Sequence, residues 1–157
     1  MPHPALKRVA APAQGPGDVE RVVADLLDTM AAAPRCVGIA APQIGEEVRI
    51  CTVDVTDHPK ATSCAGLLVL VNPVIVEASG AVIGREGCLS IPNFTADVRR
   101  AVKVVVEASG RDGAQLRVEA DGFEARCLQH EVDHLDGILF LDRVESPTQV
   151  FRRKSYG

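Results

Sequence analysis

The sequence predicts an α+β fold in which mostly antiparallel β-sheets pack around a central helix, with a second, amphipathic helix near the N-terminus. Three observations predict it. Apolar residues recur at helical spacing early in the chain, segments rich in Val and Ile fill its middle, and a second helical segment with two histidines follows them. The 157 residues suit one domain, which we expect to span residues 1–157.

The first predicted element is the amphipathic helix. Four prolines in residues 1–17 predict an irregular lead-in. Across residues 19–30 the apolar side chains recur at i, i+3, i+4, i+7 and i+8, which is typical of a helix that packs one face on a core. Asp18 or Gly17 is the candidate N-cap, and we expect Pro34 to end the helix.

The middle of the chain is expected to form strands. Residues 48–55 and 67–76 are rich in Val and Ile, and the polar residues 57–63 between them are predicted to be a loop. Residues 101–107 and 115–119 flank the segment Ser-Gly-Arg-Asp-Gly, which predicts an antiparallel hairpin.

The last predicted elements are the second helix and a short exit from it. The helix covers residues 123–135 and stops at Gly137, a residue typical of C-cap positions. Residues 138–141 form the apolar exit segment. Residues 151–157, of which 152–154 are basic, are expected to be a solvated tail.

Composition excludes several classes of protein. Aromatic residues make up only 3%, which argues against a stacking platform for nucleic-acid bases, and the net charge of −4 argues against a DNA-binding surface. We expect no secretory leader, since the first residues lack a basic segment followed by an apolar one, and no apolar run of the sequence is long enough to span a bilayer. The five cysteines are odd in number and contain no Cys-x-x-Cys pair, which favours free thiols in a reducing cytoplasm.

The strongest chemical signal is the segment His-Glu-Val-Asp-His at residues 130–134. On a helix, positions i and i+4 share one face, so His130 and His134 can bind one metal ion, and the second helix becomes the central metal-binding helix. Glu131 lies beside the first ligand, where it can accept a proton from an attacking water. The alternative is a pair of helical histidines without metal.

Such a site needs a third protein ligand. Zincin-type metalloproteases take theirs downstream, but this chain has no histidine after His134 and only Glu145 as a glutamate. Upstream lies Cys88, whose thiolate would suit Zn(II) or Fe(II). The alternative interpretation is that Cys88 is a small buried apolar residue of the core.

Three segments together resemble the peptide deformylase family. They are Gly-Ile-Ala-Ala-Pro-Gln at residues 38–43, Glu-Gly-Cys-Leu-Ser at 86–90 and Gln-His-Glu-Val-Asp-His-Leu at 129–135, in the order and at the separations of that family. The resemblance implies a metal-dependent hydrolase that removes the N-formyl group from the N-terminal formylmethionine of nascent polypeptides and releases formate.

The resemblance also implies the metal site. Cys88, His130 and His134 match the family's ligands, and the expected cofactor is one divalent ion, Fe(II), with Zn(II), Ni(II) or Co(II) able to occupy the same site. Ligand chemistry by itself would favour zinc, so the expectation of iron depends on the resemblance.

Catalytic and substrate-binding roles follow in the same way. Glu131 matches the residue that transfers protons, while the side-chain amide of Gln43 and the backbone N–H of Leu89 match the groups that stabilise the oxyanion. The backbone at Val37 and Gly38 matches the segment that pairs with the peptide like an added strand.

Glycines and one cysteine complete the implied peptide site. Gly38 and Gly87 lack a Cβ, so a peptide backbone can approach them closely. Cys36 stands where the family usually has glycine, at the entry to the methionine pocket, and its side chain could narrow the pocket or change substrate preference. We expect Asp133 to orient a histidine or cap a local backbone group rather than bind metal, and Gln129 to give hydrogen-bonded support to the metal ligands. Cys127 is expected to be a core residue.

Three alternatives remain. The first, suggested by Cys36, is a hydrolase of this fold that acts on a different N-formyl or N-acyl substrate. The second is a non-catalytic relative that binds metal or formyl-peptide, and the third is a zincin-like endopeptidase, which leaves Cys88 and Gln43 unexplained. The expected partner is an N-formylmethionyl peptide. The basic residues 152–154 could make a transient contact with the ribosome, and we expect a monomer.

Overall fold

The computed structural model describes residues 4–33 and 35–153. Within them the chain has the expected α+β fold. The helices and strands, in chain order, are α1 (Pro16–Ala32), β1 (Gly38–Ala40), β2 (Ile50–Val53), β3 (Leu68–Ser79), β4 (Val82–Cys88), β5 (Ile91–Arg100), β6 (Lys103–Ser109), β7 (Gln115–Asp121), α2 (Gly122–Leu135) and β8 (Val150–Arg152).

The strands form two sheets, and all pairs are antiparallel. One sheet has the order β1-β2-β3-β6-β7 and the other the order β4-β5-β8. One face of α2 packs Ala125 and Leu128 into the core of the larger sheet. From another face Arg126 donates a hydrogen bond to the carbonyl of Val98 in the smaller sheet. The expectation of a central helix between antiparallel sheets is therefore confirmed.

The amphipathic helix α1 covers the other side of the larger sheet. Its Val22, Val23 and Leu26 are buried in one cluster with Ile39 and Ile50. Complete burial of a side chain such as Leu26 contributes about 1.5–3 kcal/mol to stability.

The predicted start of α1 is wrong. The helix begins at Pro16, and its N-cap is Gly15 with φ 78°, rather than Asp18 or Gly17. The reason is that Pro16 fits the first turn of a helix, where its missing N–H leaves no hydrogen bond unmade. The helix ends at Ala32, and Pro34, the predicted stop, lies outside the described residues.

Most β-structure follows the prediction, although its ends differ. The strands expected at residues 48–55 and 67–76 are β2 and the longer β3, and residues 57–63 form a loop. The predicted hairpin is β6–β7, whose turn contains Gly113 at φ 86°. The prediction of α2 is confirmed.

Among the described residues, four strands are additional to the prediction: β1, β4, β5 and β8. Phe151 and Arg152 are exposed, as expected of a solvated tail, but they also belong to β8, where they pair with Thr95 and Phe94 of β5. The lead-in is also partly ordered, since residues 4–7 form a short 3-10 helix that buries Leu6. Within residues 4–33 and 35–153, none of the helices combines the length and the apolar composition that a membrane-spanning helix requires.

Candidate metal centre and substrate pocket

Two histidines of α2 and one cysteine of β4 converge between the sheets. His130 and His134 lie one turn apart, with ring centroids separated by 5.0 Å. The Sγ atom of Cys88 lies 3.3 Å from Nε2 of His134. One ligand atom from each of the three residues lies within 4.8 Å of the others, and all three side chains are buried. This donor set, one thiol and two imidazoles, suits a divalent ion such as Zn(II) or Fe(II).

The alternation of side chains along β4 places Cys88 in this cluster. Glu86 and Cys88 are buried and Gly87 between them is exposed, so both buried side chains lie on the same face of the strand. That face is turned towards α2, since Glu86 bonds to Arg126 and His130 of the helix. The pairing with β5 shifts register only after Gly87, which pairs with Thr95, so that Cys88 pairs with Ile91.

Glu86 fixes the orientation of His130. Its Oε1 accepts a hydrogen bond from Nδ1 of His130 at 2.9 Å, which leaves Nε2 of the ring available to bind a metal ion. Burial opposes a positive charge on His130, but Cys88 and Glu86 outweigh it and raise its pKa to about 10. A cation that binds this ring must therefore displace a proton.

Two arginines neutralise Glu86. Arg100 donates to both carboxylate oxygens, at 2.8 and 2.9 Å, and Arg126 donates to Oε2 at 2.6 Å. Burial by itself would raise the pKa of Glu86, yet hydrogen bonds from Arg100 and His130 outweigh it and lower the pKa to about 2. Glu86 is therefore a carboxylate at every physiological pH.

Asp133 and Gln129 have different partners from those expected. Asp133 accepts hydrogen bonds from Arg100 and Arg143, so it orients the arginine that holds Glu86 rather than a histidine. Gln129 bonds to the backbone N–H and carbonyl of Ala101 and ties α2 to the segment before β6. The expectation that these two residues directly support the histidines is wrong.

We predict that Glu86→Gln lowers the free energy of unfolding by about 3–5 kcal/mol at neutral pH, because it leaves the buried Arg126 without its countercharge and Arg100 with Asp133 alone. The folded-state pKa of Glu86, about 2, lies below its ordinary value of 4.5. The stability that this carboxylate contributes is therefore present above about pH 4.5 and is lost as the pH falls towards 2. Urea unfolding measured across that range should show a weaker acid dependence in the variant.

The matched control is Glu145→Gln, which removes an exposed ion pair at 2.8 Å from Arg99 on β5. Exposed pairs contribute about 0–1 kcal/mol, so this variant should unfold almost as the wild type does. Equal losses of stability in the two variants would contradict the importance assigned to the buried carboxylate.

Glu131 is a buried acid with a free oxygen. Its side chain is buried, and Oε1 has no hydrogen-bond partner within the described residues. A Cβ on Gly38 would lie 2.8 Å from Oε2, so the glycine leaves the space that this carboxyl needs. Burial raises the pKa of Glu131 to about 7, which suits a group that exchanges protons near neutral pH.

His134 is kept neutral by its surroundings. Burial lowers its pKa to about 3, and the neighbouring His130 adds to this effect. A neutral imidazole is the form that binds a metal ion. Its Nδ1 is buried and has no hydrogen-bond partner in the part of the chain that the structure describes.

Gln43 lies beside the cluster on a short 3-10 turn, Ala41–Ile44. Its Oε1 accepts from the backbone N–H of Ala40 at 2.9 Å, and this bond fixes which end of the amide faces the site. Its Nε2 donates to Ser90 Oγ at 3.0 Å and lies 3.5 Å from Cys88 Sγ. The side chain therefore presents an uncharged N–H donor next to the thiol.

A cavity of about 350 Å³ opens over these groups. Its walls are β1 and β4, which are the edge strands of the two sheets, and its floor is α2. Cys36 lies in one wall, where its thiol donates to the carbonyl of Gly38 at 3.2 Å and burial raises its pKa. Edge strands carry unpaired backbone groups, so an extended peptide can pair with these walls.

The cavity brings together nearly all of the residues singled out in the sequence. Ten residues were predicted to have catalytic, substrate-binding or metal-binding roles. Nine of them line the cavity, and the tenth, His134, contacts Cys88. The nine are Cys36, Val37, Gly38, Gln43, Gly87, Cys88, Leu89, His130 and Glu131. Sequence reasoning missed the roles of Glu86, Arg100 and Arg126. One signal was available, because Arg126 precedes His130 by four residues and so shares its face of the helix.

Comparisons with known proteins give a consistent result. The family model of polypeptide deformylase matches residues 1–150. A peptide deformylase of Vibrio cholerae is 43% identical over 141 residues, which cover 90% of this chain and 81% of the relative. A peptide deformylase of Thermomicrobium roseum is 48% identical over 129 residues, 82% of this chain and 73% of the relative.

Solved structures of peptide deformylases are also similar to this chain. A peptide deformylase from Legionella pneumophila superposes with a TM-score of 0.84 at 38% identity and covers 94% of this chain and 84% of its own. A class I type b peptide deformylase from Acinetobacter baumannii, solved with bound Met-Ala-Ser, gives a TM-score of 0.82 at 36% identity and covers 90% of this chain and 93% of its own.

Proposed function

The chain belongs to the polypeptide deformylase family, and we propose that it removes the N-formyl group from the N-terminal formylmethionine of nascent polypeptides in a metal-dependent hydrolysis. Membership makes the chain a hydrolytic enzyme. The observation that supports the metal dependence is the cluster of Cys88, His130 and His134, whose ligand atoms lie within 4.8 Å of one another.

Cys88, His130 and His134 would hold the metal ion. We propose Fe(II) as the native ion, following the family, with Zn(II), Ni(II) or Co(II) able to replace it. The hydrogen bond from His130 to Glu86 and the neutral state of His134 prepare both rings for binding. When bound, the cation supplies a Lewis acid that lowers the pKa of water.

Glu131 moves the proton in the proposed reaction. Its carboxylate accepts a proton from the attacking water, whose oxygen adds to the formyl carbon, and the same carboxyl then delivers the proton to the leaving nitrogen as the C–N bond breaks. Formate and a free amine result. The raised pKa of Glu131, about 7, suits both halves of this transfer.

Gln43 and Leu89 are the proposed oxyanion donors. The Gln43 amide already directs Nε2 towards Cys88, at 3.5 Å, and its other end is held by the backbone of Ala40. The backbone N–H of Leu89 directly follows the thiol in the chain. Donors that are fixed before the reaction stabilise developing charge without reorganising.

The peptide is proposed to enter along the edge strands that wall the cavity. Val37 and Gly38 supply backbone groups on one side, and Gly87 of β4 lies on the other. A related deformylase binds Met-Ala-Ser, which supports a peptide with N-terminal methionine as the substrate of this chain.

We further propose a cytoplasmic monomer in which residues 1–157 form one catalytic domain. Residues 152–154 are the proposed ribosome contact. Arg152 is exposed on β8, which supports this role, while residue 154 lies outside the described residues.

Formate release from formyl-Met-Ala-Ser tests the function. Anaerobically purified protein with a measured metal content is expected to cleave this peptide at least about tenfold faster, as kcat/KM, than formyl-Val-Ala-Ser, and to leave acetyl-Met-Ala-Ser intact.

A second candidate function has one observation behind it: Cys36 lines the cavity where the family has glycine. A preference for a first residue other than methionine would favour that candidate, and Cys36→Gly should then restore the preference for methionine. Hydrolysis of no formyl-peptide at all would contradict both.

A further inference from the structure

Arginines surround the mouth of the cavity. Arg35, Arg85 and Arg153 all line it, and all three are exposed. Arg85 pairs with Asp97 at 2.8 Å, but within residues 4–33 and 35–153 neither Arg35 nor Arg153 has an ion-pair partner. Two uncompensated cations at one opening are notable in a chain whose net charge is −4.

Arg153 reaches the cavity because it directly follows β8 in the chain. Its backbone N–H donates to the carbonyl of Asn93 at 2.8 Å, just beyond the pairing of β8 with β5. Its guanidinium then lies against Gly87, in the space where the Cβ of any other residue would stand. The missing side chain of Gly87 therefore lets the cation reach the wall along which a peptide would pass.

Arg35 approaches from the other wall. It lies between α1 and β1, and its φ of 63° is left-handed, a conformation that is strained for a residue with a side chain. Asp54 and Asp57 line a neighbouring groove that also includes Arg35, but neither carboxylate pairs with it. Its charge is thus available to a ligand in the cavity.

The other charged side chains that line the cavity are either paired or buried away from its mouth. Arg126 is bound to Glu86 and to the carbonyl of Val98. Glu131 is buried on the floor beside the candidate metal ligands. The only free charges at the mouth, among the described residues, are therefore positive.

We propose that Arg35 and Arg153 bind an anionic group of the substrate peptide downstream of its formylmethionine. This inference depends on the proposed function, since the formyl group must lie at the floor of the cavity for later residues to reach the mouth. The enzyme is then selective for formyl-peptides that carry a carboxylate in the residues after methionine.

The test compares C-terminally amidated peptides of matched length, formyl-Met-Ala-Glu-Ser, formyl-Met-Ala-Gln-Ser and formyl-Met-Ala-Lys-Ser. We expect kcat/KM to be about five- to tenfold higher for the Glu peptide than for the Gln peptide at low salt, and this ratio to shrink at 0.5 M salt, since screening weakens attraction between exposed charges. Formyl-Met-Ala-Ser as free acid and as amide shows whether a terminal carboxylate serves as well as a side chain.

Variants assign the selectivity to the two arginines. Arg35→Gln and Arg153→Gln should each reduce the Glu-to-Gln ratio, and Arg153→Glu should favour the Lys peptide. Lys103→Gln, which removes an exposed cation of β6 outside this cavity, should leave the ratio unchanged.

Equal rates for the Glu and Gln peptides in the wild type would overturn this inference and leave the proposed function intact. A preference that survives both arginine substitutions would overturn it as well. Failure to cleave any of the formyl-peptides would instead contradict the proposed function itself.

Discussion

Replacement of Glu131 by glutamine is expected to lower kcat for formyl-peptide hydrolysis roughly a hundred- to ten-thousand-fold, while the protein still folds and retains its metal. Glutamine has the shape of glutamate but cannot accept the proton of the attacking water. The substitution does not touch the cluster formed by Cys88, His130 and His134. Steady-state kinetics and elemental analysis of the same preparation measure the two effects separately.

Glu124→Gln is the matched control, since both glutamates are buried on α2. Glu124 accepts from Ser63 Oγ at 2.8 Å and from the N–H of Ala65 at 2.7 Å, away from the cavity. Glu124→Gln should therefore lower the free energy of unfolding but leave kcat per folded molecule unchanged. Glu131→Gln should not reduce stability, because burial disfavours the charge it removes. Wild-type kcat in Glu131→Gln would refute the proton-transfer role.

Helix α1 and four of the five strands of the larger sheet could be predicted because mainly apolar side chains bury them. In α1 the residues Val22, Val23 and Leu26 repeat at helical spacing, and all three are buried. In β6, Val104 and Val106 are buried in the core beside apolar residues of β3. A hydrophobic pattern is a reliable signal where the surface that covers an element is itself apolar.

The smaller sheet could not be predicted from that pattern, because it packs against charged groups. Among the buried positions of β4 and β5 are Glu86 and Arg100, which face Arg126 and Asp133 of α2. These polar residues interrupt the alternation by which a half-buried strand is recognised. The ion-pair network that supports the metal site is thus also the reason that β4 and β5 were missed.

The site itself was predicted better than the strands that carry it. The spacing of His130 and His134 on one helix is local, so it can be read directly from the sequence. The position of Cys88 is not local, since it depends on the packing of the smaller sheet against α2. Ligand chemistry made Cys88 a candidate for the third ligand, and the resemblance to a family decided between that role and a buried apolar residue.

Cys88→Ala is expected to abolish stoichiometric metal binding. It removes one of three proposed ligands, so affinity should fall by more than the roughly 10- to 100-fold that loss of an outer hydrogen-bonding partner costs. Turnover should fall with the metal content. Elemental analysis after gel filtration, together with formate release per bound ion, measures both effects.

Cys127→Ala is the matched control for the loss of a buried cysteine from the cavity. Cys88 and Cys127 are both 7% exposed and both line the cavity, but only Cys88 belongs to the cluster with the histidines. Burial raises the pKa of the Cys127 thiol and so keeps it in the protonated form, which is a poor metal ligand. Cys127→Ala should therefore retain the metal. If the two variants lost metal equally, or if Cys88→Ala kept it, Cys88 would have to be removed from the ligand set and the proposed centre would be left with two histidines.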